Sequence, residues 1–448
     1  MQSRNNTSIG LGRVRQRAEP DREACFNNLF HFLKVELLRE SFYKLKRNAA
    51  TGLDGMSWKM YESKLDERLP ELERELHIGS YRAIPAKRTY IEKDDGRKRP
   101  LGIQSVEDKI VQQSCARILT EVFEPTFCGI SYGFGPGRWQ HDGLDALHEG
   151  IERRKTNWIL DCDIEGFFDN PDHEILMSFI EDRVSDKRML RLLRKWLRVG
   201  WQEDRKRHAQ TQGTPQGSVI SPLLANIYLN VVMDKWYIQW RKEQARGDTI
   251  SVRYADDVVY GFQYENEARS FLKMLRARME THKLKLHPTK TRLIGFGGFA
   301  AINRQNRNEG RPETFDFLGF THICGKPQRG KYRTFGKTMS KRHCRKLKEV
   351  KVELKRRMHA PLMDTAKWVS SVVRGYTQYH GVPGNMQAVN KFYIEVGQMW
   401  LKVIRRGSQK GRDRWTWEKF YRLQRRWIPS PRLVHPFPSV RFDAKHSR

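Results

Sequence analysis

The sequence predicts an α+β fold, and three observations carry that expectation. Apolar residues recur at helical spacing over several long stretches. Short apolar runs that alternate with period two lie between them, Ile250–Phe262 being the clearest. Turn signals at Asp94-Asp95-Gly96 and Gly213-Thr-Pro-Gln-Gly217 bound such runs.

Residues 1–20 are polar and basic, with no apolar signal core, and are expected to be flexible. Residues 24–48 read as a helix pair, with Phe26, Leu29, Phe30, Phe32 and Leu33, then Leu37, Leu38 and Phe42, at helical spacing. Residues 51–55 form a loop and 58–76 a helix. The segment 88–103 alternates around Asp94-Asp95-Gly96, a hairpin signal, and 105–125 is helical. Trp158–Ile164 is a short apolar strand. Asn170-Pro171-Asp172 opens a helix. Residues 213–217 lead into a helix over about 221–240. The hairpin carrying Tyr254-Ala255-Asp256-Asp257 follows, then a helix over 265–283 and a strand over 314–323. Residues 340–358 form a very basic helix with an apolar stripe at Leu347, Val350, Leu354 and Met358. Residues 361–448 mix helices with a Pro-rich end.

At 448 residues, roughly two to four domains are expected. The net charge of +32 points to a polyanionic partner, nucleic acid before membrane. Residues 321–448 hold 31 Lys+Arg against 7 Asp+Glu, so the C-terminal third is the main electrostatic grip. The six cysteines show no paired metal spacing and suit buried thiols in a reducing compartment. No apolar run approaches the ~20 residues of a membrane span, so no membrane partner is expected.

Asp256 and Asp257 place two like charges side by side inside an apolar run. Divalent metal is the usual relief for such repulsion. Nucleotide addition needs two divalent ions ~3.5–4 Å apart, spanning the attacking and leaving oxygens. A third carboxylate on a neighbouring strand would complete a minimal cage. Asp163 ends the run Trp158–Ile164; Asp161 lies on the same strand face and is its rival.

Seven blocks in order resemble the reverse transcriptase of group II introns: Ala50–Gly55, Arg99–Ile103, Ser131–Phe134, Asp163–Asp169, Gly213–Pro222, Tyr254–Asp257 and Phe317–Phe320. Gly375–Asn385 and His435–Pro438 resemble the family's maturase region. The resemblance implies a right-hand polymerase of fingers, palm with an antiparallel sheet, and helical thumb, followed by a mainly helical maturase domain. It implies boundaries at 21–150 for an N-terminal extension and fingers, 151–330 for the palm, 331–375 for the thumb and 376–448 for the RNA-binding maturase domain.

It assigns metal binding to Asp163, Asp256 and Asp257, with two Mg²⁺ ions, or Mn²⁺ as substitute, as cofactors. Asp161 is then structural, and Asp169 caps or buttresses the next helix. Phe168 stands where the family places an aromatic wall against a 2′-hydroxyl. Lys93 and Arg99 would clamp the triphosphate of a dNTP. Gln216 would contact the nascent pair. Lys290 resembles the lysine near the leaving pyrophosphate, a general acid, although its position suits a surface lysine as well. Lys341, Arg342, Arg345, Lys346, Arg405, Arg406, Arg425 and Arg426 are the candidate RNA contacts.

The implied function is RNA-directed DNA synthesis together with binding of a group II intron RNA for splicing and mobility. The partners are intron RNA, an RNA template with DNA primer, and target DNA. The setting is the cytoplasm of a bacterium or archaeon, with nucleoid association. Where the family reads Ile-Pro-Lys, this chain has Ile91-Glu92-Lys93; where it reads Phe-Arg-Pro-Gly, Gly135 replaces the arginine, which puts one fingers contact in question. No Cys- or His-rich nuclease module follows, so priming from nicks or replication forks is expected. A domesticated polymerase acting in DNA repair or phage defence is the alternative. A splicing-only protein with an idle site is a third reading, which the intact aspartates oppose.

Overall fold

In the computed structural model, which describes residues 2–92, 96, 98–325, 332–407 and 415–446, the chain opens with helix α1 (Gln2–Ala18). Flexibility was expected there. Instead Leu11, Val14 and Ala18 are buried, on one helix face. A stripe that narrow is lost in a run whose average composition is polar.

The helix pair expected over 24–48 is a 3-10 turn at Phe30–Phe32 and a single helix, α2 (Val35–Lys44). Asp186 causes the break: its carboxylate accepts the backbone N–H groups of Leu29 and Phe30, both at 2.8 Å. The helix expected over 58–76 is likewise split into α3 (Trp58–Glu62) and α4 (Leu65–Ile78). β1 (Ala86–Glu92) and β2 (Lys98–Ile103) pair as an antiparallel hairpin. Then come α5 (Val106–Phe123), α6 (Gln140–Arg153), β3 (Trp158–Cys162), α7 (His173–Glu181) and α8 (Lys187–Arg198). In α6 the buried Leu144, Leu147 and Ile151 keep helical spacing. β4 (Trp201–Glu203) and β5 (Lys206–His208) form a short hairpin. α9 (Ser221–Leu229) continues through a π-helical stretch, Asn230–Lys235, into α10 (Trp236–Glu243).

β6 (Thr249–Tyr254), β7 (Asp257–Phe262), α11 (Glu265–Thr281), β8 (Arg292–Gly295) and α12 (Ala300–Asn306) follow. β9 (Phe315–Phe317), β10 (Phe320–Cys324) and β11 (Thr334–Thr338) make a small sheet. The chain closes with α13 (Ser340–Arg356), α14 (Leu362–His380), α15 (Met386–Arg406), α16 (Trp417–Trp427) and α17 (Pro438–Lys445).

The central sheet has the order β6-β7-β3-β8 and is antiparallel throughout. Both faces are covered. Leu160, Cys162, Val258, Tyr260 and Phe262 belong to the largest core, with α5, α9 and α11. Ile159, Val252, Val259 and Ile294 pack in a second core with α6 and the β9–β10 turn. A separate four-stranded sheet has the order β2-β1-β4-β5.

The boundary expected at 375/376 falls inside α14. Val369, Val373 and Tyr376 share one core with Leu354 of α13, Val396 and Trp400 of α15, and Phe420 of α16. Helices on both sides of that position thus bury their apolar faces in a shared core. The Pro-rich end also returns to the centre: α17 docks on α6 through Arg441 with Asp145, Lys445 with Asp142 at 2.6 Å, and Arg153 with Asp443 at 2.8 Å. Of the cysteines, Cys115 and Cys162 are buried, while Cys25 and Cys344 are exposed. No described helix is long and apolar enough to cross a membrane.

Candidate active site

β6 and β7 join through a two-residue turn, Ala255-Asp256, closed by the Tyr254–Asp257 pair. Ala255 has φ +56°, a region that non-glycine residues seldom adopt. Arg253 holds it there. Its fully buried guanidinium donates through Nη1 to the Ala255 carbonyl and to Asn226 Oδ1, both at 3.0 Å, and through Nε to Asp234 Oδ1 at 2.8 Å. The Ser131–Phe134 block braces the same turn. Tyr132 N–H donates to the Arg253 carbonyl at 2.8 Å, and Asn226 Nδ2 to the Gly133 carbonyl at 2.7 Å. Gly133 lies so close that a Cβ would collide with the Ala255 backbone.

β3 pairs with β7, Cys162 standing opposite Val258. One step further along that register Asp163 falls beside Asp257. Period-two alternation puts Asp161, Asp163 and Asp257 on the face of Ile159 and Val259. Burial first, then the charges of Asp256 and Asp163, push the Asp257 carboxyl up to about 7. Asp256 is raised too, mainly by burial, with Arg99 opposing. Asp161 faces its strand neighbour Arg292 at 3.6 Å, and burial lifts it to about 6.

The Asp163 carboxylate accepts from Lys290 Nζ at 2.7 Å. The loop bearing Lys290 is anchored alongside, His287 N–H donating to the Asp163 carbonyl at 2.7 Å. As the side chains stand, no three His, Cys, Asp or Glu residues among those described are grouped to hold a metal ion. The donor set nevertheless fits in kind: three carboxylates supply hard oxygen ligands suited to Mg²⁺, and the mutual repulsion at Asp257 is what a dication relieves. Asp163 would hold an ion only with the carboxylate that now accepts from Lys290.

Arg99, Phe168 and Gln216 come together, although 117 residues separate the first and last. Arg99 Nε donates to Gln216 Oε1 at 3.3 Å, and its guanidinium stands over the Phe168 ring at 5.9 Å. Gln216 Nε2 donates to Asp169 Oδ1 at 2.7 Å. Asp169 thus steadies Gln216 and does not cap the next helix; Asp172 does, accepting from Glu174 and Ile175 N–H. Gly213, at φ +81°, lets the loop lie against the Phe168 and Asp169 backbone, where a Cβ would sit 2.7 Å from both carbonyl oxygens. Lys93 lies outside the described residues.

The cationic candidates are spread over three helices. Arg342 packs over Gly319, where any side chain would meet its guanidinium, and opposes the rise at Asp257. Lys341 and Arg345 are exposed on α13, and Lys346 pairs with Glu349 at 3.0 Å. Arg405 Nε donates to the Trp415 carbonyl at 2.8 Å, which ties it to its own domain, while Arg406, Arg425 and Arg426 are exposed. Beside Gly135 lies Arg138, whose Nη2 meets Glu124 at 2.6 Å and whose Nη1 donates to the Ser131 carbonyl at 2.6 Å. An arginine three residues on thus fills the space next to Gly135. Sequence reasoning missed Arg253, Asp234 and Asn226. The one available signal was a cation in the middle of an apolar strand.

Residues 91–322 match the family described as reverse transcriptase (RNA-dependent DNA polymerase). The chain is 32% identical over 231 residues to group II intron-encoded protein LtrA of Lactococcus lactis subsp. cremoris, covering 51% of this chain and 38% of that protein. It is 32% identical over 295 residues to protein YkfC of Escherichia coli K12, covering 57% of this chain and 77% of YkfC. It is 24% identical over 237 residues to nuclear intron maturase 4, mitochondrial, of Arabidopsis thaliana, covering 50% and 28%. The chain thus spans about two fifths of LtrA.

Proposed function

Since the chain belongs to the reverse transcriptase (RNA-dependent DNA polymerase) family, we propose that it extends a DNA primer on an RNA template and binds a group II intron RNA for splicing and mobility. On this reading β1–β2 and the helices before them are fingers, the central sheet is the palm, and α13–α14 are the thumb, continuous with the maturase helices.

The observation that supports the reading is the β3–β7 register, which brings the end of β3, next to Asp163, alongside the β6–β7 turn that carries Asp256 and Asp257. When bound there, divalent ions would neutralise triphosphate oxygens and make the primer hydroxyl more acidic. The protein's own groups do the rest. Arg253 and Gly133 keep the carboxylate turn in place. Arg99 offers a planar, bidentate cation to phosphate, and Gln216 holds it over the Phe168 ring. Phe168 closes the space a 2′-hydroxyl would occupy. Lys290, already on Asp163, stands ready to donate a proton to pyrophosphate as it leaves. The exposed cations of α13, α15 and α16 supply salt-sensitive contacts to RNA phosphates.

Primer extension on poly(rA)/oligo(dT) with Mg²⁺ tests this directly. The wild-type chain extends the primer, while Asp256→Ala and Asp257→Ala do not. Undiminished extension by either variant would remove the polymerase assignment from this site. Co-purification of a folded catalytic RNA tests the intron partner separately.

A further inference from the structure

Between α6, the β10–β11 hairpin and the returning C-terminal segment lies a cavity of about 430 Å³. Its apolar walls include Leu144, Phe320, Phe335, Val382, Met386 and Phe437. Two polar side chains that line it each keep one buried nitrogen without a hydrogen bond. His322 is 4% exposed, and its Nε2 makes no hydrogen bond. Arg441 commits Nε to Asp145 at 2.8 Å and Nη2 to the same carboxylate, which leaves Nη1 buried and unbonded. Each such orphan costs ~1–3 kcal/mol. Two of them lining one cavity at a junction of elements mark groups kept for a ligand.

We propose that this cavity receives a single unstacked base of a bound RNA strand. The proposal rests on the RNA-binding reading above and names a subsite for it. A base presents flat faces to the phenyl rings and an edge bearing both acceptors and N–H donors. The Arg441 nitrogen requires an acceptor, and the neutral His322 ring, whose other nitrogen donates to the Phe317 backbone, offers Nε2 as an acceptor for an N–H of the base. Burial holds His322 neutral, so that end of the cavity calls for a polar edge and not for an anion. Recognition of single-stranded RNA works in this way, by stacking splayed bases on aromatic side chains and bonding their edges. The volume lies within the ~300–1,000 Å³ of small-ligand sites. A phosphate alone would leave the apolar walls unused, and an alkyl chain would leave both polar groups unpaired. Arg333 also lines the cavity, from an exposed position that suits the adjoining phosphate.

The test uses the full chain in EDTA, which silences any metal-dependent nucleotide site. Adenosine, guanosine, cytidine, uridine, ribose and phenol are titrated separately, and binding is read by saturation-transfer NMR. At least one nucleoside binds and ribose does not. His322→Phe, which removes the nitrogens, and Val382→Trp, which fills the space, each weaken binding by about tenfold, one hydrogen bond's worth. Thermal melts confirm folding, and either variant suffices if the other fails to fold. The proposal is overturned if no nucleoside binds, if ribose binds as well as nucleosides do, or if a folded variant binds like wild type. Tighter binding of phenol overturns it in favour of an aromatic side chain from a partner protein. Asp257→Asn retains nucleoside binding while losing primer extension, so failure of the polymerase reading and failure here are distinguishable.

Discussion

Arg253 Nη1 donates to the carbonyl oxygen of Ala255 at 3.0 Å, from a side chain wholly shut off from solvent. The residue before the paired aspartates is thereby held in a left-handed conformation that alanine on its own disfavours. Arg253→Met leaves Asp234 charged and buried without a partner, a loss of about 3–5 kcal/mol. Urea melts measure that loss. Arg253→Lys restores the charge but not the fork, so it recovers stability more than it recovers extension rate. Equal recovery of both would argue that Arg253 does not position the turn.

The two aspartates of β3 and its end separate cleanly. Asp163→Asn lowers kcat for primer extension by about 10³-fold, several kcal/mol of lost charge stabilisation. Asp161→Asn, which only loosens the contact to Arg292, stays within roughly tenfold of wild type. The reverse order would exchange their roles.

Phe168→Ala opens the sugar side of the proposed nucleotide pocket. Ribonucleotide incorporation relative to deoxyribonucleotide rises on the order of tenfold, measured by competition in primer extension. Gln216→Ala frees Arg99 and Asp169 together and raises KM for dNTP. An unchanged KM would detach Gln216 from nucleotide binding.

RNA binding through exposed cations falls steeply with salt. The slope of log K against log salt shrinks by roughly one for each phosphate contact removed. Replacing Arg425 and Arg426 with Gln lowers the slope, measured by filter binding. Arg405→Gln changes it less, since that guanidinium is tied to the Trp415 carbonyl.

Burial lowers His322 to about 3 and His380 to about 4, against about 6.5 in an unfolded chain. Both rings are neutral in the fold and charge on unfolding below that value. Their stabilisation is complete above pH ~6.5 and is lost as the pH falls towards the folded values, on the order of 2 kcal/mol per ring between pH 7 and pH 5. Urea melts across that window check the sign. A chain that grows more stable on acidification contradicts it.

The residues themselves pointed to the proposed chemistry: two adjacent carboxylates in an apolar hairpin, a third at the end of a strand, and a basic C-terminal third. Alternation and helical spacing also located the hairpins and most helices, because those periods are local. Where averages hid a narrow stripe, as in α1, or a distant carboxylate such as Asp186 interrupted a helix, local reading failed.

Other relationships arise only from pairing across the chain. The end of β3 lies beside the start of β7 because two strands more than ninety residues apart must bury both faces of one sheet, which sets their register. Gln216 reaches Arg99 and Asp169 because a glycine turn lets two backbones approach closely. The return of α17 onto α6 rests on ion pairs between residues nearly three hundred positions apart. Periodicity along a chain carries no information about which partner such charges find; packing decides it.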